Sequence, residues 1–176
     1  DLESYYNGAK YLSYLLTPAT VSLAVPLYEQ MALLKRNIRA LAAGILSGIL
    51  ASLASVLILS KLFQLSHAQY VTLLPKSITT AIGMGVSEAL GGTVSITVAV
   101  IIVTGILGNV LAEGIFKLFG IRERVAKGLA LGTAAHAIGT ARAMEIGEVE
   151  GAMSSLAITV CGILTAAAAS FFAQLM

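Results

Sequence analysis

A proline, a lysine, hydroxyls and glycines interrupt an otherwise hydrocarbon-like chain at residues 75–92, which read Pro-Lys-Ser-Ile-Thr-Thr-Ala-Ile-Gly-Met-Gly-Val-Ser-Glu-Ala-Leu-Gly-Gly. Irregular polar backbone at membrane depth survives only where protein or a water-filled cavity satisfies it, and an intramembrane lysine is costly enough to mark a functional site. A proline followed by small hydroxyl residues opens a helix whose first N–H groups lack partners. Such an end attracts anions through its donors and its dipole. The pattern predicts a half-helix beginning at Pro75, with Lys76 adding a full positive charge and Ser77, Thr79 and Thr80 adding hydroxyls for a carboxylate. The competing reading is that Lys76 reaches along its stem to the interface while the hydroxyls bond their own helix.

A second polar insertion, residues 128–142, holds His136 and Arg142 among Gly128, Gly132 and Gly139, with Thr140 beside them. It is too short to span a bilayer comfortably as one straight helix. His136 is flanked by alanines, so its ring has room to approach a substrate or a facing backbone, and its near-neutral intrinsic pKa suits proton relay. A packed histidine is the alternative. Arg142 has the geometry to clamp a carboxylate bidentately, or else pairs with Glu145 or marks the membrane edge. Glu148 and Glu150 join His136 as proton-coupling candidates, against the plainer role of solvated carboxylates capping the next span. No second histidine, cysteine or suitably spaced carboxylate completes a metal site, and no cofactor is implied. The chain also lacks a nucleophile elbow, a phosphate loop and a catalytic residue set, which argues against an enzyme.

The elements that position these insertions must cross a membrane. With 57% hydrophobic and 11% charged residues and a mean hydropathy of +0.90, the chain is far from the roughly 25% charge of a soluble domain. We read it as an all-α polytopic membrane protein, a single transmembrane domain over 1–176, with two or three broken or re-entrant half-helix segments. Residues 40–60, 89–112 and 151–176 contain no Asp, Glu, Lys, Arg or His, and each is long enough for a bilayer that needs about 20 apolar residues. A fourth uncharged run, 11–28, is interrupted by Pro18 and Pro26 and reads as a broken segment. Gly44, Gly48 and Ser52, at four-residue spacing in the first long span, form a stripe for close helix packing. The net charge of +2 is too small and too scattered for nucleic-acid binding, and the single cysteine, Cys161, lies in the last span as a packing residue. The chain opens on Asp1 without a secretory leader, so we expect an upstream portion.

Basic residues in short loops orient membrane proteins. With Lys35, Arg36 and Arg39 inside, the second basic loop (Lys117, Arg122, Arg124, Lys127) would fall outside if the Pro75 segment crossed fully. A re-entrant Pro75 segment returns it to the inside, and the His136 segment can then be re-entrant too. Full but broken crossings are the other solution. An internal echo also appears, with residues 16–25 resembling 74–82: Pro18 falls over Pro75, Thr20 over Ser77 and Ser22 over Thr79. It suggests repeat halves at 8–63 and 70–176 and adds Thr20 to the candidate binding residues, since corresponding interrupted segments point to a transporter site.

The Leu-Pro-Lys-Ser-Ile-Thr-Thr run at 74–80, the run from Ala126 through Lys127-Gly128 and His136 to Arg142, and Gly147-Glu-Val-Glu-Gly-Ala resemble the LrgB/CidB family, over essentially the whole chain and in order. Pro18-Ala-Thr-Val-Ser-Leu-Ala-Val-Pro-Leu-Tyr28 resembles that family's upstream motif. Ala81 departs from it, standing where many relatives carry a second proline. The resemblance implies a multi-pass protein of the bacterial inner (cytoplasmic) membrane that works with a small LrgA/CidA-type membrane partner and forms a homo-oligomer. It also implies two functional accounts. One is a holin/antiholin-like modulator of murein hydrolase activity and autolysis. The other, through similarity to the plastid glycolate/glycerate translocator, is a carrier of small organic anions such as pyruvate, glycolate or glycerate. Lys76, Ser77, Thr79, Thr80, His136, Thr140, Arg142 and Thr20 are then the expected binding residues, and the residue reading favours the carrier.

Overall fold

The computed structural model describes residues 28–176 together with Tyr14, Pro18, Val21 and Val25; the echo at 16–25 and Thr20 lie outside the described residues. Those described form helices and turns only. A short helix α1 (Met31–Arg36) leads into α2 (Ile38–Leu62). Two short helices follow, α3 (His67–Leu73) and α4 (Thr80–Ala89), then α5 (Val94–Leu118), α6 (Arg124–Ile146) and α7 (Glu148–Ala173).

Three of these, α2, α5 and α7, are long and apolar enough to cross a membrane. At about 1.5 Å per residue each is close to 37 Å long, more than the hydrocarbon thickness. Each buries one stripe and turns the rest outward. In α5 the inward residues are Thr97, Ile101, Gly105, Ala112 and Phe116, while Ile102, Val103, Ile106, Leu107 and Val110 are exposed. In a membrane protein that outer face meets lipid, so its exposure needs no partner. The buried apolar cluster runs along α2 (Leu41, Ile45, Ile49, Leu53, Val56) and α7 (Ala152, Met153, Ala157, Cys161, Ala169), with Tyr70 and Val71 of α3 and Leu74 just after it closing it.

Between the long helices lie two helical hairpins. Hairpin 1 is α3 and α4. A capping box starts α3, in which Ser66 Oγ accepts from Gln69 N and Gln69 Oε1 accepts from Ser66 N. Its Tyr70 hydroxyl donates to the Phe172 carbonyl at the C-terminal end of α7, 2.8 Å away. Residues 74–79 reverse the chain, and α4 returns until Ala89 and Leu90 share a groove with Ser170, again near the end of α7. Both arms thus start and finish at the same end of the bundle. Thr72, Ser87 and Thr97 tie the base to α5: Thr72 Oγ1 accepts from Thr93 N at 2.8 Å, and Thr97 Oγ1 donates to the Thr72 carbonyl at 2.9 Å and pairs with Ser87 Oγ at 2.7 Å.

Hairpin 2 is α6 itself. Its helical run is two arms folded at His136, whose φ of 41° and ψ of −130° are not helical. Gly139 comes against the Leu131 carbonyl and the Ala135 methyl, whereas eight residues along a straight helix would separate 131 from 139 by about 12 Å. Lys127 and Ile146, at the outer ends of the two arms, line one cavity of about 440 Å³ with Phe116 and Ile121. This hairpin enters from the end opposite to hairpin 1 and packs on the first half of α7, where Gly128 faces the Glu150 backbone and Gly132 the Ser154 backbone and Ala157. A side chain at either glycine would hold the arms off α7.

Candidate functional site

Both tips reach the middle of the bundle, one against α2 and the other against α5. Ser77, in the turn of hairpin 1, lies Oγ to Oγ 3.0 Å from Ser52, close to the midpoint of the 25-residue α2. Lys76 Nζ donates to Ser77 Oγ at 2.9 Å. From the other side, His136 Nε2 lies 2.8 Å from the Ile101 carbonyl. A carbonyl only accepts, so Nε2 carries the proton and Nδ1 remains the acceptor of the neutral ring. Ile101 also meets the other tip, since its Cδ1 lies against Gly83 of α4. Ile101 thus touches α4 of hairpin 1 through its side chain and the His136 tip of hairpin 2 through its carbonyl.

Local sequence explains both tips. Pro75 ends α3 rather than opening the next helix: α4 begins at Thr80, with Thr79 in an extended N-cap conformation that makes no side-chain cap bond. This corrects the expectation of a half-helix starting at Pro75. The proline lacks an N–H, so the ladder stops there, while its carbonyl accepts from Ile78 N in the turn. Lys76 to Thr79 are consequently turn residues and do not line one helical face. In hairpin 2 the fold falls at His136 itself and not at a glycine; the glycines serve the close approaches.

Other candidate residues are placed apart from the tips or already engaged. Thr140 is fully buried, donates to the His136 carbonyl at 2.9 Å and pairs with Ser154 Oγ at 2.8 Å, so it braces the hairpin against α7. Arg142 lies at the outer end of the returning arm, paired with Glu113 of α5 and with Glu145 at 2.7 Å. Glu148 and Glu150 occupy the first turn of α7, where carboxylates complement the helix dipole; Glu150 folds back over Gly147.

Three contributors escaped the sequence reading. Ser52 belongs to the stripe taken for packing. That stripe does pack, with Gly44 against Leu129 and Gly48 against Thr133, but it also seats the hairpin 1 tip. The Ile101 carbonyl leaves no trace in a sequence. Gly105 gave a signal, a glycine inside an unbroken hydrocarbon run, and its place is now clear. A Cβ there would stand 2.7 Å from His136 Cε1 and 2.9 Å from Nε2.

The LrgB-like family model matches residues 1–175. Curated relatives include proteins named "Antiholin-like protein LrgB" from Bacillus mycoides, Bacillus cereus and Bacillus anthracis. Each is 40% identical over 163 residues, which cover 93% of this chain and 71% of the relative. No solved structure matches it.

Proposed function

The chain belongs to the LrgB-like family, and from that premise we propose that it shares the antiholin-like membrane role in its relatives' name and that its molecular act is carrying a small carboxylate. The observation that carries this reading is that two opposed hairpins bring their tips to mid-bundle, one bearing Lys76 and seated on Ser52, the other bearing His136 and seated on Ile101. Lys76 with Ser77, Thr79 and Thr80 offers charge and hydroxyls to a short anion such as pyruvate, glycolate or glycerate, beside the α4 N-terminus. His136 holds its Nε2 proton on Ile101 and keeps Nδ1 for a transferred proton, which suits proton coupling. Eight basic side chains (Lys35, Arg36, Arg39, Lys117, Arg122, Arg124, Lys127 and Arg142) lie toward the hairpin 2 end, which supports reading that end as the cytoplasmic face of a bacterial inner membrane. Hairpin 1 is then re-entrant from the outside and hairpin 2 from the cytoplasm. A small LrgA/CidA-type partner and a homo-oligomer complete the expected assembly.

The second reading, direct modulation of murein hydrolases without transport, is favoured by the name of the relatives. The full-length protein in liposomes, with and without its partner, separates the two. Saturable uptake of labelled pyruvate, glycolate or glycerate, abolished by Lys76→Ala and by His136→Ala, is expected. No uptake under a proton or a sodium gradient, with leakage of a large dye, would leave the holin/antiholin account standing alone.

A further inference from the structure

The segments that carry the two tips match one another at a fixed distance along the chain. Helices α2 and α5 are both 25 residues long, and their starts (Ile38, Val94) and ends (Leu62, Leu118) each stand 56 residues apart. They finish on the same triplet, Lys61-Leu62-Phe63 and Lys117-Leu118-Phe119. The residue after each triplet takes positive φ, Gln64 at 52° and Gly120 at 64°. The same bonds close both ends: Phe63 N to Leu59 O and Leu65 N to Ser60 O at 2.9 Å each, against Phe119 N to Ile115 O at 3.0 Å and Ile121 N to Phe116 O at 2.8 Å.

The correspondence continues into the hairpins. Each returning arm opens with Ala-Ile-Gly, residues 81–83 and 137–139. In both, the glycine sits over the carbonyl eight residues earlier, Gly83 over Pro75 and Gly139 over Leu131. The buried positions Ser87 and Ala143 are again 56 apart, as are the glycines after the arms, Gly91 and Gly147. The arms even meet the next long helix alike: Thr72 bonds to Thr97, and Gly128 packs on Met153.

The two sets run in opposite directions. α2 ends where hairpin 1 enters, beside the C-terminus of α7, and α5 ends at the opposite face, where hairpin 2 enters. The tips, however, differ. Hairpin 1 is unwound from 74 to 79, whereas hairpin 2 reverses at the single residue His136.

We propose that residues 38–93 and 94–149 are two copies of one helix-plus-hairpin unit laid in opposite senses, and that the space between their tips opens to the two membrane faces in turn as the units exchange conformations. Two units of like construction have like conformations within reach, so the asymmetry of the tips has a two-fold-related counterpart of comparable energy. The proposal rests on the carrier reading only for what the space contains.

Single cysteines in the full-length Cys161→Ala protein test it in right-side-out and inside-out vesicles with a membrane-impermeant maleimide. Ala89→Cys and Glu145→Cys, 56 apart and both exposed at hairpin ends, are expected to react from opposite faces. Lys61→Cys and Lys117→Cys supply the same comparison should either hairpin variant fail to fold. Labelling of a pair from one face overturns the inverted arrangement, whatever the protein carries. Ala81→Cys and Ala137→Cys, equivalent exposed positions at the tips, are expected to react from both faces. An oxidised Ser52→Cys/Ser77→Cys cross-link is expected to confine each to one face until it is reduced. Tips that label only from their own hairpin's face, cross-linked or not, overturn the alternation and leave the repeat intact. Correct labelling with no uptake of any carboxylate would instead remove the carrier reading.

Discussion

Replacing Gly105 by alanine tests the His136 site without touching it. The added methyl would lie 2.7 Å from His136 Cε1, 2.9 Å from Nε2 and 2.8 Å from Ile138 Cδ1, where ordinary carbon contacts need about 3.5–4.0 Å. The ring must move by roughly 0.7 Å or more. The space it occupies is closed, since His136 is 3% exposed, so the movement stretches the 2.8 Å bond to Ile101. Overpacking costs about 1–3 kcal/mol, and a weakened bond to a buried group adds about 1 kcal/mol or more. The helix-propensity gain of about 1 kcal/mol from Gly to Ala offsets part of this. The net is a loss of about 2 kcal/mol, or roughly 4–8 °C in melting temperature for a chain of this size. Gly114→Ala in the same helix is the control, because a Cβ there meets nothing within 4 Å. Thermal unfolding of both variants in detergent reads the difference, with uptake measured in parallel. If Gly105→Ala melts with Gly114→Ala and transports normally, the ring does not lie where it is described, and the site built around it falls.

Three further outcomes follow from the same geometry. His136→Gly is expected to fold at least as well as His136→Ala, because φ 41° and ψ −130° are glycine-like and holding another residue there costs about 1–3 kcal/mol; paired melting curves check this, and uptake should be lost in both. Thr140→Ala and Ser154→Val, on either side of a buried 2.8 Å bond, should each lower stability by about 1–2 kcal/mol, with the double variant losing less than the sum in a thermal double-mutant cycle. Arg142→Gln, which removes only exposed ion pairs with Glu113 and Glu145, should leave melting temperature and uptake unchanged; a strong loss of uptake with normal folding would place Arg142 in the substrate path.

The long helices were legible because the bilayer demands one thing of them, an uncharged run. Residues 40–60 and 151–176 fall close to Ile38–Leu62 and Glu148–Ala173. The middle run, 89–112, is displaced from Val94–Leu118: Gly91 at φ 79° breaks the chain at its start, while Glu113 and Lys117 are tolerated at its end, where charges reach water. Lys76 and His136 were visible as polar residues in apolar surroundings. Their placement at the tips of opposed hairpins was not, because it depends on chain reversals at 74–79 and at His136 that neither a proline rule nor a glycine count locates. Arg142 shows the converse limit, since a charge in a motif does not say which end of a hairpin it occupies. The 56-residue period was faint for a physical reason. It is carried by backbone turns and small-residue contacts, which many sequences satisfy, and the only runs of more than one identical residue are Lys-Leu-Phe and Ala-Ile-Gly.

The dependence of hairpin 2 on α7 sets an order of assembly. Gly128, Gly132 and Thr140 all find their partners between Glu150 and Ala157, residues that leave the ribosome after the hairpin is complete. Until α7 is threaded into the membrane, the hairpin rests on α5 alone, through His136 and the Ile101 carbonyl, while Gly128, Gly132 and Thr140 have nothing to pack on. α7, made after the hairpin, then closes over it and completes the packing behind the His136 tip.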